Sequence, residues 1–186
     1  MFTAVFLLVI YYAAYCTAKS PTDVAVTKQR VMAAKGKEHL FNPEHEGQDG
    51  GNLTLYCTVC DKYVEANTKH CGTCNRCCYG FDHHCEWLNN CIGKVTYDKF
   101  RRLLLCFFLM NLLNITLIIA LGIVGKLEKD PVTRARHWKA DAIWWELGIT
   151  IPFMLFILQL SIYHAWLVYH GISTFDHIVY KRELKL

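Results

Sequence analysis

The stretch from Cys57 to Cys91 constrains the fold more than any other part of the chain, because it concentrates side chains that bind metal or act as nucleophiles. Eight of the ten cysteines and three of the nine histidines of the protein lie inside it. Crowded cysteines either form disulfides in a small secreted domain or hold a metal ion, and the redox compartment decides between the two. The spacings within this stretch favour a metal.

Two cysteine pairs, each separated by two residues, have the spacing of a structural zinc site, and two further candidate ligands lie beside the second pair. In chain order these residues are Cys57, Cys60, His70, Cys71, Cys74 and Cys77. Structural zinc takes four Cys or His ligands in a closed tetrahedron. Two ions would therefore need eight of the eleven candidates in the stretch, which leaves three residues for another role.

The run Asp82-His83-His84-Cys85 contains candidates for that other role. In an extended chain the two adjacent histidines point to opposite faces, so one ring can bind metal while the other stays free. His83 and Cys85 then share a face, and a thiol beside an imidazole base is an activated nucleophile. Asp82 could fix the imidazole tautomer as the third member of a triad. Simple alternation does not place Asp82 against His83, so this contact requires a bend in the chain.

Three apolar runs flank the cysteine-rich stretch, at residues 1–18, 103–124 and 143–169. Each has about the length that a helix needs to cross about 30 Å of hydrocarbon. The sequence therefore predicts three transmembrane helices. The first run could instead be a cleaved signal peptide, but no Lys or Arg precedes its apolar core, which favours a retained span.

Charge predicts the orientation of these spans. Residues 19–102 contain twelve Lys and Arg, whereas the loop at 126–139 contains five. Basic residues concentrate on the cytosolic side of a membrane, and reduced thiols suited to zinc also belong there. The segment 19–52 is thus predicted to be a cytosolic connector. Its basic part, residues 19–37, could continue the first helix into the cytosol or lie along the lipid headgroups, and we favour a solvated connector. Residues 125–142 are predicted to form a lumenal loop, and residues 170–186 a cytosolic tail.

The four residues Asp82-His83-His84-Cys85, within a cysteine-rich segment between hydrophobic spans, resemble the DHHC family of protein S-acyltransferases (palmitoyltransferases). The similarity runs without a gap from Cys57 to Cys91. It implies a multi-span α-helical membrane protein with a small cytosolic two-zinc cysteine-rich domain of short β-hairpins and loops, at residues 53–99, in an endoplasmic reticulum or Golgi membrane. Members usually have four spans with this domain between the second and third. Residues 1–18 resemble the second span, so we expect the first to be missing.

The resemblance also implies roles for individual residues. Cys85 would be the acyl-carrying nucleophile, His83 the general base and Asp82 its orienting partner, while zinc would be purely structural. Two interleaved zinc sites are implied, the first with Cys57, Cys60, His70 and Cys77, and the second with Cys71, Cys74, His84 and Cys91. Cys78 has no role in the family. We predict a small buried side chain there, the alternatives being another metal ligand or a second acylation site.

Two positions depart from the family pattern. Glu86 stands where most members have proline, and a nearby anion raises the pKa of a thiol, so we expect slower self-acylation. The segment Ser173-Thr174-Phe175-Asp176 is similar to the family's Thr-Thr-x-Glu motif. The resemblance implies that Thr174 hydrogen-bonds Asp82, but Asp176 is one methylene shorter than glutamate, so its contact is left open.

The function implied by the resemblance is transfer of a long-chain acyl group (palmitoyl) from acyl-CoA through a Cys85 acyl-enzyme to membrane-proximal cysteines of cytosol-facing proteins at the lipid bilayer. Four basic residues lie between Cys91 and the second span, where they could either mark the cytosolic boundary or attract the phosphates of coenzyme A. They are Lys94, Lys99, Arg101 and Arg102.

Other classes of zinc protein fit less well. A RING-type ubiquitin ligase would need a further pair of closely spaced cysteines after Cys85, and the sequence has none. A zinc ribbon that binds nucleic acid would be a soluble basic domain, whereas this chain has three apolar runs, so we expect no nucleic-acid partner. The alternative that stays open is a non-catalytic, zinc-stabilised membrane scaffold or a shortened isoform that binds partners.

Overall fold

The computed structural model describes residues 2–45, 55–127 and 137–185. The chain divides into two compact units. One unit comprises Met1–Tyr12 and Arg101–Tyr169, and the other comprises Ala13–Phe100 and His170–Leu186. The second unit contains the whole cysteine-rich stretch.

Five α-helices occur in the described residues: α1 (Phe2–Ala18), α2 (Val24–Ala34), α3 (Tyr97–Leu127), α4 (His137–His170) and α5 (Thr174–Glu183). Three short 3-10 helices span Glu38–Leu40, Pro43–His45 and Glu86–Leu88. The six strands are β1 (Leu55–Cys57), β2 (Lys62–Val64), β3 (Thr68–Cys71), β4 (Arg76–Tyr79), β5 (His83–Cys85) and β6 (Asn90–Ile92).

The first unit is built from apolar helices. Within the described residues, the segments Tyr97–Leu121 of α3 and Trp144–His170 of α4 are long and apolar enough to cross a membrane, with mean hydropathies of 2.5 and 1.7. Helix α1 is apolar throughout but has 17 residues, so the predicted span at residues 1–18 stays a prediction. Half of the predicted lumenal loop at 125–142, namely residues 128–136, lies outside the described residues.

Among the described residues, an aromatic pair and a polar pair join α3 to α4. The rings of Phe107 and Phe153 meet edge to face with their centroids 6.4 Å apart. The amide nitrogen of Asn114 donates a hydrogen bond to Glu146 Oε1 at 3.3 Å. A polar pair between two apolar helices satisfies groups that hydrocarbon cannot.

The second unit contains three antiparallel hairpins, β1–β2, β3–β4 and β5–β6, which are consecutive in the chain. Each turn ends on a residue with positive φ: Asp61 at 54°, Asn75 at 48° and Asn89 at 46°. Asp and Asn tolerate this left-handed conformation better than other residues with a side chain. The hairpins thus share one turn design, although their sequences differ.

Helix α2 packs on the first hairpin. Ala25, Val26 and Gln29 are buried, and Val26 forms a core cluster with Val64 and Cys77. The Gln29 side chain bonds the backbone of Tyr63 twice, donating to its carbonyl at 2.8 Å and accepting from its N–H at 3.1 Å. The basic segment 19–37 is therefore not solvated along its whole length, because one face of α2 belongs to the core.

Asp23 fixes the start of α2 to the hairpins. Its carboxylate caps the helix by accepting from Ala25 N at 2.7 Å, and it also accepts from Glu65 N at 2.9 Å and from the Thr68 hydroxyl. Its own N–H donates to the Cys77 carbonyl at 3.0 Å. The carboxylate is fully buried, and these donors replace the water that it loses.

Candidate functional site

Two groups of Cys and His side chains could each hold a metal ion. The ligand atoms within each group all lie within 4.8 Å of one another. One group contains Cys57, Cys60, His70 and Cys77, and the other contains Cys71, Cys74, His84 and Cys91. These are the two interleaved sets that the family resemblance implied, and spacing alone had left their pairing open.

The distances within both groups fit zinc. In the first group His70 Nδ1 lies 3.7, 3.4 and 3.8 Å from the sulfurs of Cys57, Cys60 and Cys77. In the second group His84 Nδ1 lies 3.3 Å from the sulfur of Cys74. Tetrahedral zinc with bonds of about 2.3 Å to sulfur and about 2.1 Å to nitrogen separates such atoms by roughly 3.6 Å. A closed set of four ligands is typical of a structural site.

Cys78 belongs to the core beside the second group. It is fully buried and packs with Cys71 and Cys91, which confirms the prediction of a small buried side chain. Space is tight here, because a Cβ added to Gly93 would lie 2.5 Å from the Cys78 sulfur and 2.7 Å from the Tyr79 carbonyl oxygen. Only glycine at position 93 allows the chain leaving β6 to pass so close to β4.

The two faces of strand β5 carry different groups, the metal ligand on one face and the thiol on the other. His83, His84 and Cys85 are successive residues of this strand, so their side chains alternate between its faces. His84 faces the metal group, while His83 and Cys85 share the other face. A metal held by His84 would thereby fix the strand on which the thiol and the imidazole lie.

Asp82 lies just before the strand and contacts His83, as a bend in the chain allows. Its Oδ2 accepts from His83 Nδ1 at 2.7 Å and from the Thr174 hydroxyl at 2.6 Å. Its Oδ1 accepts from the Thr174 backbone N–H at 2.9 Å. Asp82 is 4% exposed, so these hydrogen bonds determine its ionisation and orientation.

The three groups form a coupled acid–base system. Burial favours neutral Asp82, but the hydrogen bonds from His83 and Thr174 outweigh it and lower the pKa of the carboxyl. Burial also favours neutral His83, but its hydrogen bonds to Asp82 and Cys85 raise the imidazole pKa to about 9. Burial opposes ionisation of Cys85 too, yet the hydrogen bond to His83 and the backbone N–H of Leu88 lower the pKa of the thiol. The arrangement therefore favours a thiolate beside an imidazolium.

Asn90, directly opposite Cys85 in the β5–β6 hairpin, ties this hairpin to the end of α1. Its buried amide nitrogen donates to the carbonyls of Cys16 and Lys19, both at 2.9 Å, and of Thr17 at 3.3 Å. Carbonyls at the last turn of a helix have no partner within the helix. One side chain thus satisfies them and anchors the hairpin that carries Cys85.

The four basic residues predicted to attract coenzyme A lie on consecutive structural elements. Lys94 follows β6 and is exposed, and the other three are in the first two turns of α3. Lys99 lies 3.8 Å from the Asp98 carboxylate and 6.0 Å from the centroid of the Tyr15 ring. Arg101 and Arg102 are exposed.

Sequence reasoning missed Asp23 and Asn90. Asp23 directly precedes Val24, and a short acidic residue before a helical segment is a recognisable N-cap signal. Its bonds to Glu65 and Thr68 have no such signal, because they join residues more than 40 positions apart. Asn90 has no local signal at all, since its role depends on carbonyls more than 70 residues earlier.

A small domain built on two metal-ligand groups places a thiol beside an Asp–His pair, in a chain that also contains long apolar helices. This arrangement is typical of proteins with an activated cysteine. A sequence model described as DHHC palmitoyltransferase matches residues 52–181. The chain belongs to the DHHC palmitoyltransferase family. The predicted fold class is confirmed, because this is a family of multi-span membrane proteins and the described residues contain apolar helices, short antiparallel strands and two Cys/His groups.

Curated relatives have names of the same kind. Probable protein S-acyltransferase 20 of Arabidopsis thaliana is 30% identical over 149 residues, which cover 75% of this chain and 21% of that protein. Palmitoyltransferase ZDHHC8 of Canis lupus familiaris is 31% identical over 128 residues, covering 68% and 16%. Probable protein S-acyltransferase 15 of Arabidopsis thaliana is 27% identical over 178 residues, covering 95% and 67%. The chain thus spans 21% and 16% of the length of the first two of these relatives and 67% of the third.

Proposed function

We propose that the chain is a protein S-acyltransferase that moves a long-chain acyl group, palmitoyl above all, from acyl-CoA to cysteines of other proteins. The observation that carries this proposal is the buried Cys85 thiol beside His83, which is itself held by Asp82 at 2.7 Å. A thiol whose pKa is lowered by a neighbouring imidazole is a nucleophile toward thioesters. The family and the names of the relatives support the same reaction class.

The proposed reaction has two balanced steps. The Cys85 thiolate attacks the thioester carbonyl carbon, the bond from that carbon to the coenzyme A sulfur breaks, and the leaving thiolate takes a proton from His83. A cysteine thiol of the substrate protein then gives its proton to His83 and attacks the acyl-enzyme, which restores the Cys85 thiolate. Asp82 stabilises the His83 imidazolium in both steps. One bound zinc ion in each group would hold the four ligands of that group together, and zinc would take no part in the acyl transfer.

The acyl chain supplies most of the proposed binding energy for the donor. Each methylene removed from water contributes about 0.8 kcal/mol. A long chain that remains in hydrocarbon while its thioester reaches Cys85 would thus be bound through its tail more than through its head.

We propose that Lys94, Lys99, Arg101 and Arg102 attract the phosphates of coenzyme A. Removing two exposed charges, with Lys94→Ala and Arg101→Ala, is expected to raise the KM for acyl-CoA about fivefold with kcat unchanged, because each solvent-exposed charge pair contributes up to about 1 kcal/mol. The charge-matched control is the double variant Lys28→Ala, Lys35→Ala, with one lysine on α2 and the other directly after it. Steady-state kinetics in detergent measures the KM for acyl-CoA in both double variants. Equal values would mean that these residues only mark the cytosolic boundary of the membrane and do not attract coenzyme A.

For location we propose an endoplasmic reticulum or Golgi membrane with the cysteine-rich domain in the cytosol, and substrate proteins whose cysteines lie near that surface. The excess of basic residues in 19–102 supports this orientation. Asn52-Leu53-Thr54 is a natural reporter. It is expected to stay unglycosylated. A glycan on Asn52 would show that this segment is lumenal and would contradict the proposed orientation.

Self-acylation of the purified, zinc-loaded chain tests the reaction. A clickable palmitoyl-CoA analogue is expected to label the wild type, hydroxylamine is expected to remove the label, and Cys85→Ser is expected to take up none. The matched control is Cys106→Ser, which replaces a buried cysteine in α3.

The same assay separates the enzyme from a membrane scaffold. Folded wild-type protein with two zinc ions but without label would contradict the acyltransferase proposal and leave a scaffold that binds partners. Label that survives in Cys85→Ser would instead place the acyl group on another cysteine.

A further inference from the structure

The strongest feature that the proposed reaction does not yet use is the start of α5. Ser173 is the N-cap of this helix, and its hydroxyl makes two hydrogen bonds with Asp176. The Ser173 Oγ accepts from the Asp176 backbone N–H at 3.0 Å, and the hydroxyl donates to Asp176 Oδ2 at 2.7 Å. The first helical hydrogen bond, from His177 N to the Ser173 carbonyl at 3.0 Å, follows directly.

This reciprocal cap determines where Thr174 points. Thr174 is the first helical residue, so its backbone N–H has no acceptor inside α5. That N–H donates to Asp82 Oδ1 at 2.9 Å, and the Thr174 hydroxyl donates to Oδ2 at 2.6 Å. The carboxylate of Asp82 therefore lies at the positive end of the helix, where both a donor and the helix dipole favour it.

An aromatic pair lies next to the contact between Asp82 and Thr174. Phe175 follows Thr174, Phe81 precedes Asp82, and their rings meet edge to face with centroids 5.9 Å apart. The ammonium of Lys69 lies 5.5 Å from the centroid of the Phe175 ring. The two segments thus run side by side over two residues, with the Asp82–Thr174 pair next to an aromatic pair.

We propose that Ser173 and Asp176 are positioning residues for acyl transfer, which act by holding the first turn of α5 so that Thr174 presents both of its donors to Asp82. Neither side chain touches the reacting atoms. Asp82 orients His83, and His83 contacts Cys85, so an error in the cap would displace the acid–base pair without removing it. Serine and aspartate in place of the family's threonine and glutamate keep a hydroxyl and a carboxylate three residues apart, so the hydroxyl can cap the helix while it donates to the carboxylate.

The inference rests on the proposed acyltransferase function, and the rate of acyl-enzyme formation in single turnover tests it. Asp176→Ala is expected to lower the rate constant about fivefold to tenfold and to leave half-saturation by acyl-CoA unchanged. Ser173→Ala, which keeps the charge, is expected to act in the same direction. Asp176→Glu is expected to recover most of the rate, because a glutamate carboxylate at this position can also accept a hydrogen bond from the N-cap residue. Glu183→Ala, at the exposed far end of α5, is the matched control and is expected to react like the wild type.

Coupling to Thr174 distinguishes positioning from a general loss of stability. The double variant Asp176→Ala, Thr174→Ala is expected to lose less than the product of the two single losses, because both changes act on the same carboxylate. Full multiplication of the losses would overturn the inference, as would a wild-type rate in Asp176→Ala or a failure of Asp176→Glu to recover. Two zinc ions per chain are required of every variant that is compared.

A second readout separates failure of the inference from failure of the proposed function. Alkylation of Cys85 by iodoacetamide at one fixed pH, followed by mass spectrometry of the Cys85 peptide, needs no acyl-CoA. If the wild type took up no acyl label, the acyltransferase proposal would fail, and slower alkylation in Asp176→Ala than in Glu183→Ala would still support the positioning role. Equal alkylation rates in those two variants would reject it.

Discussion

A chain with Cys74 replaced by serine is expected to lose one zinc ion and, with it, the fold of the cysteine-rich domain. The Cys74 sulfur lies 3.3 Å from both His84 Nδ1 and the Cys91 sulfur, at the centre of the second metal group. Structural zinc contributes an apparent 10–16 kcal/mol, roughly, to small domains that fold around it. Whole domains are stable by only about 5–15 kcal/mol. Loss of one site therefore removes as much free energy as the domain has.

The hairpins offer little to replace the metal. Their strands have three or four residues each, and the buried clusters among them consist largely of cysteines that belong to the two metal groups. Such strands do not fold on a hydrophobic core of their own. We expect Cys74→Ser to expose the Cys85 strand as well, because His84 is part of that strand.

Metal analysis and circular dichroism of the purified chain check this prediction. The wild type is expected to hold two zinc ions and Cys74→Ser one or none, with loss of the thermal transition and of self-acylation. Cys78→Ala is the matched control, since Cys78 packs against the same group without belonging to it. It is expected to keep both ions at a cost of about 1–2 kcal/mol. A zinc ion lost from Cys78→Ala would make Cys78 a ligand after all.

Much of the site could be predicted because its information is local. The cysteine pairs, the adjacent histidines and the alternation of side chains along an extended strand were enough to indicate a metal domain with a free thiol and imidazole. The assignment of eight ligands to two interleaved sets needed the family resemblance, since eleven candidates can be grouped in many ways. Apolar runs located the long helices but not their ends. Helix α3 begins at Tyr97 rather than at residue 103, because polar residues continue the same backbone hydrogen bonds.

The contacts that assemble the second unit could not be predicted, because they join distant residues through single polar side chains. The basic residues at 19–37 suggested a solvated segment. Instead, the Gln29 side chain forms hydrogen bonds with the backbone of Tyr63, as a neighbouring strand would. The Asp23 carboxylate accepts hydrogen bonds from Glu65 and Thr68, far along the chain. The role of Asn90 could not be predicted either, because its partners lie more than 70 residues earlier. A buried amide or carboxylate is recognisable only when its partners are known, whereas a metal-ligand spacing is recognisable by itself.

Replacing Asp82 by asparagine is expected to lower the rate of acyl-enzyme formation by on the order of a thousandfold, with the fold intact. Asparagine keeps the volume of the side chain, and its amide oxygen can still accept a hydrogen bond from Thr174. Its nitrogen, however, cannot accept the hydrogen bond that His83 Nδ1 donates to Asp82 Oδ2. The neutral imidazole would then carry its proton on Nε2, and no carboxylate would stabilise the imidazolium that pairs with the Cys85 thiolate.

Single-turnover labelling with a clickable acyl-CoA measures this loss, and the matched control is Asp61→Asn. Asp61 is exposed, lies at a turn with φ of 54° that asparagine also tolerates, and accepts a hydrogen bond from Tyr56. The rate of acyl-enzyme formation in Asp61→Asn is expected to lie within about twofold of the wild-type rate, because surface substitutions usually have small effects. Half-saturation by acyl-CoA should be the same in both variants, because Asp82 contacts His83 and Thr174 rather than the donor. If Asp82→Asn reacted as fast as Asp61→Asn, the hydrogen bond to His83 would be structural, and Cys85 would depend on His83 alone for its reactivity.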